Sequence, residues 1–356
     1  MISREVCLSD NTQSSDKPQR LTLNSLQAVR GLAAILVVVD HSIFIWGINY
    51  NKPVNINLAV FLGELGVTMF FVISGFVMIY SHAKDFGDKS AIKRFFTRRF
   101  NRIIPLYWIM TVLYALYLTV QNRGPSLYQV VLSLLFIPYN APGSVYGHPV
   151  LGQGWTLNYE IMFYIVFGFS LFHRRGVQLV FLVFSLWVIA DLCGLLGDRN
   201  PFSFWGKPIV LFFLAGVAVG LGRHWAKFQI DFGGALTIAV AFIALAVLTA
   251  IWAGPETYVA ALASGFSAIS TVAICAWAKE SDNTNAVRKF AKIIGDITYS
   301  TYLTHTLVIA QVTKVIFHIA PESSTTLVVL IATPICILVG LIVYRLIERP
   351  LLRTLN

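Results

Sequence analysis

The sequence predicts an all-α fold: a polytopic transmembrane helical bundle of ten spans, both termini cytoplasmic, with a short re-entrant or interfacial element near 128–138. Of its 356 residues 56% are hydrophobic and only 12% charged, about half the ~25% charge that coats a soluble domain. The apolar residues are gathered in blocks near the ~20 residues a helix needs to cross hydrocarbon. Lys and Arg segregate to alternate connections between those blocks. Length alone would suggest two soluble domains. Composition overrules it.

The spans are expected at 26–48, 58–81, 103–121, 155–172, 177–196, 207–222, 233–253, 258–278, 296–317 and 327–346. The first begins at Leu26, after a polar segment carrying Ser14, Ser15, Asp16 and Lys17. It is too long for a signal-peptide core and no small-residue cleavage site follows. It is therefore expected to be a retained span, with 1–24 a mobile cytoplasmic tail, 25–352 one membrane domain and 353–356 the C-terminal end. Tyr128 to Pro138 is too short to cross and runs into the Gly/Pro-rich Ala141-Pro142-Gly143 and Gly152-Gln153-Gly154, so it is expected to lie at the interface or re-enter. The 207–222 block must stand steeply or thin the bilayer. With the N-terminus inside, 22 Lys and Arg fall on the cytoplasmic side and 5 outside. Counting 128–138 as a full span would reverse every later connection, and the charge bias rejects that. No internal repeat, low-complexity tract or appended soluble domain is visible.

The net charge of +10 suits an anionic membrane surface or an acidic ligand. Nucleic acid is excluded, since no polar basic domain exists to carry it. Cys7, Cys193, Cys275 and Cys336 are spaced neither as a disulfide framework nor as a metal site.

Ionisable groups inside hydrocarbon cost ~2.5–3.5 kcal/mol on insertion scales and mark function by default. Asp40, His41, Glu64, Glu160, Asp191 and His305 qualify. Arg30 and His41 are three helical turns plus ~20° apart, on one face with ~16 Å between them. Singly, Arg30 suits a topology anchor and His41 a packed imidazole bonded to a neighbour such as Asp40. Together they suit a long ligand gripped by a cation at the inner surface and presented to a base in the bilayer. Glu160 is expected ~7–8 Å below the outer edge, near the level of His41. The two can form an oriented general-base pair, or Glu160 can be satisfied by Asn158 or water. Glu64, one turn from the outer edge, can snorkel. His305 is expected ~13 Å from the inner edge with Tyr302 on its face, lining a channel or closing a buried network.

The loop from Lys84 to Arg102 is the strongest basic cluster. Pro105 suits the first turn of the helix that follows it. Arg98 and Arg102 share a face, and guanidinium forks suit phosphate oxygens; a bare charge run also suits lipid headgroups. Ser74-Gly75 permits close backbone approach by another helix or by a ligand.

Six elements then occur in order: Leu26-Gln27-Ala28-Val29-Arg30-Gly31 with His41; Gly66-Val67-Thr68-Met69-Phe70-Phe71-Val72-Ile73-Ser74-Gly75-Phe76; Arg98-Arg99-Phe100-Asn101-Arg102-Ile103-Ile104-Pro105-Leu106-Tyr107-Trp108; Trp155-Thr156-Leu157 with Glu160 and Tyr164; Tyr299-Ser300-Thr301-Tyr302-Leu303-Thr304-His305; and Glu348-Arg349-Pro350. Over roughly 22–352 this series resembles the membrane-bound acyltransferase family 3, the O-acetylases of surface polysaccharide and lipopolysaccharide. Thr68 stands where many members carry an acidic residue, so a role for that carboxylate does not carry over. The long polar N-terminal segment is also outside the pattern.

The resemblance implies an enzyme of the bacterial inner membrane. It would move an acyl group, usually acetyl, from acyl-coenzyme A at the cytoplasmic face to a hydroxyl of an exopolysaccharide, O-antigen or lipid-linked oligosaccharide. It implies no tightly bound cofactor, with acetyl-coenzyme A as co-substrate, and membrane lipids as surroundings. Arg30 and His41 become the functional pair, with Glu160 and Arg98, Arg99 and Arg102 as further contacts. Ser74 and Gly75 fall to the donor site, and Trp155, Tyr302 and His305 to the substrate channel. His41, tuned by Glu160 or Asp40, would act as general base or carry the acyl group covalently. A secondary transporter or polysaccharide export component also fits intramembrane His, Asp and Glu, although corresponding broken spans in two halves are missing. A non-catalytic partner of a polysaccharide synthase is a third reading.

Overall fold

The computed structural model describes residues 23–140, 147–223, 230–279 and 286–355. Residues 1–22 of the expected 1–24 tail, and Ala141-Pro142-Gly143, lie outside the described residues. Among the described residues the regular structure is helical, with one isolated bridge between Ile230 and Ala278. In chain order the helices are α1 (Asn24–Tyr50), α2 (Ile56–His82), α3 (Lys89–Val120), α4 (Leu127–Leu134), α5 (Trp155–Ser170), α6 (Gly176–Leu192), α7 (Pro201–Trp205), α8 (Leu211–Gly222), α9 (Phe232–Ala253), α10 (Tyr258–Ala276), α11 (Ala286–Ile319), α12 (Thr325–Val343) and α13 (Arg349–Leu355). Their starts follow ordinary capping chemistry. Asn55, Asp88, Ser126, Asp231, Thr257 and Ser324 each accept a hydrogen bond from the first turn they precede, which satisfies a donor the helix itself leaves open.

Among the described residues six helices are long and apolar enough to cross a membrane: α1, α2, α3, α9, α10 and the continuous Thr325–Leu355 rod. Gly176–Leu192 and Pro208–Gly222 are apolar but shorter. Large apolar side chains such as Leu116, Leu248, Leu262, Leu330 and Leu346 stand exposed on their outer faces. A soluble monomer does not tolerate so wide an apolar surface; hydrocarbon does.

Small residues bring the central helices together. A Cβ on Gly66 of α2 would collide with the Ala33 carbonyl of α1, and one on Gly31 of α1 with Ile294 of α11. Gly75 of α2 abuts the Phe213 carbonyl of α8, and Gly216 of α8 abuts the Val72 carbonyl of α2. Around these contacts α1, α2, α5, α8 and α11 form the interior, while α9 and α12 flank it.

Two local expectations need correction. The Lys84–Arg102 segment is not mainly a loop: α3 begins at Lys89, and Pro105 sits inside it rather than in its first turn. The basic stretch is amphipathic, burying Ala91, Ile92, Phe95 and Arg99, so it continues the helix despite its charge. Helix α11 likewise starts at Ala286, ahead of the apolar block. The 128–138 element contains α4, which exposes Leu127, Tyr128 and Val131 as an interfacial helix would. The chain that turns inward is the later one: Leu151, Gln153 and Gly154 are buried, and Gln153 Nε2 donates to the Leu303 carbonyl of α11 at 2.9 Å.

Candidate active site

Helices α1 and α3 begin, and α2 and α12 end, at one end of the bundle. Arg30, Lys93, Arg94, Arg98 and Arg102 gather there, around a vestibule of about 820 Å3 closed by α13. Asp296 and Glu348 are its counter-charges. Glu348 is buried and accepts from Ser300 Oγ; it ends the π-helical turn Tyr344–Glu348, a local widening that is frequent at functional sites. Arg30 Nη1 donates to Gln27 Oε1 at 2.8 Å, and Gln27 Nε2 donates to Asp296 Oδ1 at 3.3 Å. The cation is thus oriented by a neutral amide, with no carboxylate within ion-pair distance among the described residues.

Arg30 and Arg102 also line a second, narrower cavity of about 130 Å3 that reaches into the bundle. Its walls include Ser74, Arg99, Glu160, Tyr164 and Tyr302. Arg98 and Arg99 therefore part company. Arg98 is exposed in the vestibule, whereas Arg99 is buried, with its guanidinium 5.5 Å from the Tyr164 ring centroid. Glu160 accepts from Ser74 Oγ at 3.0 Å and from the Tyr164 hydroxyl. Tyr302 caps this cavity: its hydroxyl meets Thr156 Oγ1 at 2.7 Å and the Gln153 carbonyl at 2.9 Å.

Beyond Tyr302 stand two imidazoles. His305 is fully buried, and its Nδ1 lies 2.7 Å from the Tyr302 carbonyl. His41 Nδ1 lies 3.0 Å from the Val37 carbonyl and 3.2 Å from Asp40 Oδ2. Each Nδ1 faces an acceptor and so carries the hydrogen, which assigns the lone pair to Nε2 in both rings. His305 Nε2 has no hydrogen-bond partner among the described residues. His41 is 32% exposed at its side chain, against 11% for Asp40.

The structure does not place Glu160 beside His41. Helix α5 starts at an already buried Gly154, at the level where Gln153 meets Leu303 and Thr306. Seven residues onward, Glu160 is ~10 Å nearer the basic end. Asp40 is the carboxylate that reaches His41. Nor does His41 share the cavity with Arg30, since Tyr302 and His305 stand between. Gly75 does not line the cavity; it packs on α8, and Ser74 alone of the pair faces inward. Trp155 lies apart from Tyr302, lining an opening at the far end and stacking on His148 at 6.3 Å. Sequence reasoning gave Tyr164 no role and missed Gln153, Asp296 and His148. Gln153 was visible as a polar residue between glycines at the edge of an apolar block. Tyr164 and Asp296 are unremarkable until the fold brings arginines to them.

The family model of the acyltransferase domain, that of acyltransferase family 3, matches residues 23–345. The exopolysaccharide production protein ExoZ of Rhizobium meliloti is 31% identical over 305 residues, 82% of this chain and 90% of that protein. An O-acetyl transferase of Shigella phage Sf6 is 24% identical over 222 residues, 58% of this chain and 63% of the relative. The peptidoglycan O-acetyltransferase OatA of Listeria monocytogenes is 28% identical over 155 residues, 40% of this chain and 23% of its own length. No solved structure matches the chain. On a match that runs through nearly all of its apolar helices, the chain belongs to acyltransferase family 3 and is a multi-pass membrane acyltransferase.

Proposed function

We propose that this acyltransferase is a ten-span protein of the bacterial cytoplasmic membrane, both termini inside, that acylates a hydroxyl of a cell-surface or lipid-linked polysaccharide. The acyl group, acetyl in the simplest case, comes from acyl-coenzyme A. The single observation that carries this reading is the sharing of Arg30 and Arg102 between a wide basic vestibule and a narrow internal cavity. That shape suits a ligand with phosphates at one end and a slender arm at the other. Planar guanidinium groups pair phosphate oxygens well, and the vestibule presents three further basic side chains, Lys93, Arg94 and Arg98, around them.

The chemistry follows from the tautomers. His41 Nε2 takes the proton of the acceptor hydroxyl while Asp40 and the Val37 carbonyl hold its Nδ1–H. The freed oxygen attacks the thioester carbonyl, the C–S bond breaks, and the imidazolium returns its proton to the departing thiolate. Glu160, bound to Ser74 and Tyr164, offsets the buried positive charge of Arg99 rather than moving a proton. Tyr302 is the last side chain before the imidazoles, so the arm reaches them when that ring swings from its bonds to Thr156 and Gln153. The 22-to-5 distribution of basic residues supports the orientation, which puts the vestibule in the cytoplasm.

The test is reconstitution in liposomes with radiolabelled acetyl-coenzyme A outside and, as acceptor, surface polysaccharide prepared from a strain lacking the protein. Transfer of label to glycan by wild type, and its loss in His41→Ala with normal insertion, is expected. Label transfer by His41→Ala at the wild-type rate would overturn the mechanism.

A further inference from the structure

A third cavity, about 520 Å3, opens at the end of the bundle opposite the arginines. It lies between the start of α2, Trp155, α8 and the turn leading into α10, and no Lys or Arg lines it. We infer that the acceptor saccharide binds in this groove and that the sugar unit presented for acylation is uncharged. This rests on the acyl-transfer reading for what reacts, but not for what binds.

Four observations carry it. Thr68 of α2 and Ser264 of α10 are only 5% and 7% exposed, yet both line the groove. Neither hydroxyl has a hydrogen-bond partner among the described residues, and an unpartnered, nearly buried hydroxyl calls for a polar ligand or water. Glu64 projects into the same space without a hydrogen bond or ion pair among the described residues, while Glu256 accepts from Asn57 Nδ2 at 3.3 Å. Two carboxylates, an amide and two hydroxyls make an array of hydrogen-bond acceptors and donors suited to sugar hydroxyls. Trp155 supplies an apolar ring face of the kind on which the C–H face of a pyranose packs.

The groove also lies where an acceptor must come. Val67 belongs both to it and to the narrow cavity, and Trp155 is followed directly by Thr156 and Leu157 of that cavity. Gly63, adjacent to Glu64, is the point where the Asp40 carboxylate presses on α2. Uncompensated Glu64 and Glu256 repel an anionic sugar and tolerate a neutral one. Among the basic residues at this end, Lys52 and Lys207 are taken up by Glu322 and Asp191.

The experiment measures binding and turnover separately. Tritiated polysaccharide oligomers, from a strain lacking the protein, are titrated onto wild type, Glu64→Gln, Thr68→Ala and Ser264→Ala in nanodiscs by equilibrium dialysis. Thr68→Ala and Ser264→Ala each remove a hydroxyl, and Glu64→Gln exchanges one accepting oxygen for a donating amide nitrogen, so glycan affinity should fall about tenfold. The KM for acetyl-coenzyme A should remain within about twofold, which separates lost contact from misfolding. Mass spectrometry of the acylated product should place the new group on an uncharged residue. Unchanged glycan affinity in all three variants, or no glycan binding by wild type, would overturn the groove assignment. Acylation of a uronic or phosphorylated sugar would overturn the charge argument. Glycan binding that depends on Glu64 without any use of acyl-coenzyme A would sink the donor reading and leave the groove standing.

Discussion

His41 of α1 and His305 of α11 meet edge to face, their ring centroids 4.8 Å apart and their planes at 88°. Each imidazole anchors its Nδ1 on a main-chain carbonyl one turn behind it, Val37 for the first and Tyr302 for the second. Both Nε2 atoms are consequently left as proton acceptors in one small space. The rings differ in their charged neighbours: Asp40 stands 3.2 Å from His41 Nδ1, and among the described residues no carboxylate reaches His305. A carboxylate stabilises the imidazolium that forms when a base takes a proton, so His41 is the stronger base of the two.

Loss of His41 should therefore lower kcat by ~10²–10⁴, the usual worth of a positioned general base. His305→Ala should cost about tenfold. Asp40→Asn should fall between them, well short of the ~10⁴ seen when a serine-protease triad loses its carboxylate. There the carboxylate alone sets the tautomer, whereas here the Val37 carbonyl at 3.0 Å keeps the hydrogen on Nδ1. Steady-state kinetics with the reconstituted protein ranks the three. A His305→Ala loss larger than that of His41→Ala would reverse the assignment.

Arg102 lines both arginine cavities and has no ion-pair partner among the described residues. Removing a charged hydrogen-bond donor costs about 1.5–3 kcal/mol, so Arg102→Ala should raise KM for acetyl-coenzyme A by ~10–100-fold. Arg102→Lys should recover only part of this, because a point charge does not reproduce the guanidinium fork. Arg98→Ala, exposed in the vestibule, should act more weakly and mainly at low ionic strength, where screening is least. Donor KM at two salt concentrations separates these cases, and identical salt dependence for the two variants would count against the division.

Asp88 precedes α3, and its carboxylate accepts from Ser90 Oγ and the Ser90 amide. Those bonds hold its pKa below the ordinary 3.8. Because the folded value is the lower one, its stabilisation is present above the unfolded pKa and is lost as pH falls through the folded value. Asn caps a helix as well as Asp but does not titrate. Thermal unfolding of wild type and Asp88→Asn should accordingly differ most near pH 5 and converge as the pH falls below 3.8. A constant offset across that range would show that the Asp88 cap is not what titrates.

The helices were legible because hydrocarbon imposes a length, and α1, α2, α9 and α10 fall within two residues of their apolar blocks. The segment 89–102 was not, since charge marked it as a connection while its buried face, Ile92, Phe95 and Arg99, made it a helix. The site was legible residue by residue but not in its depths. Counting rise from a span's edge assumes the helix starts at the membrane surface, and α5 starts inside the bundle, behind the buried Gln153. That offset moved Glu160 from His41 to Arg99 and left Asp40, the next-door neighbour, as the real partner. Rotation about an axis follows from sequence spacing; translation along it depends on what the preceding chain does.

The same limit explains Gly75, which sequence placed with the donor and structure places against α8. A methyl group there would collide with the Phe213 carbonyl, and one on Gly216 with the Val72 carbonyl. The atoms struck are main chain, which cannot rotate away as a side chain tip can, so the two helices must separate. Separation at this seam displaces Val72, Phe76 and Phe213, all buried in the interior. Overpacking of this kind typically costs 1–3 kcal/mol. Gly75→Ala and Gly216→Ala should each lower the thermal midpoint in detergent, and the double variant should lose less than the sum, since either methyl opens the same contact. Ser74→Ala, one residue away, should leave the midpoint nearly unchanged and act on turnover through Glu160, whose bond to Ser74 Oγ it removes. A pair of neighbours, one altering stability and the other activity, is the outcome expected of a helix that packs with one face and binds with the next; equal thermal losses at both positions would reject that division.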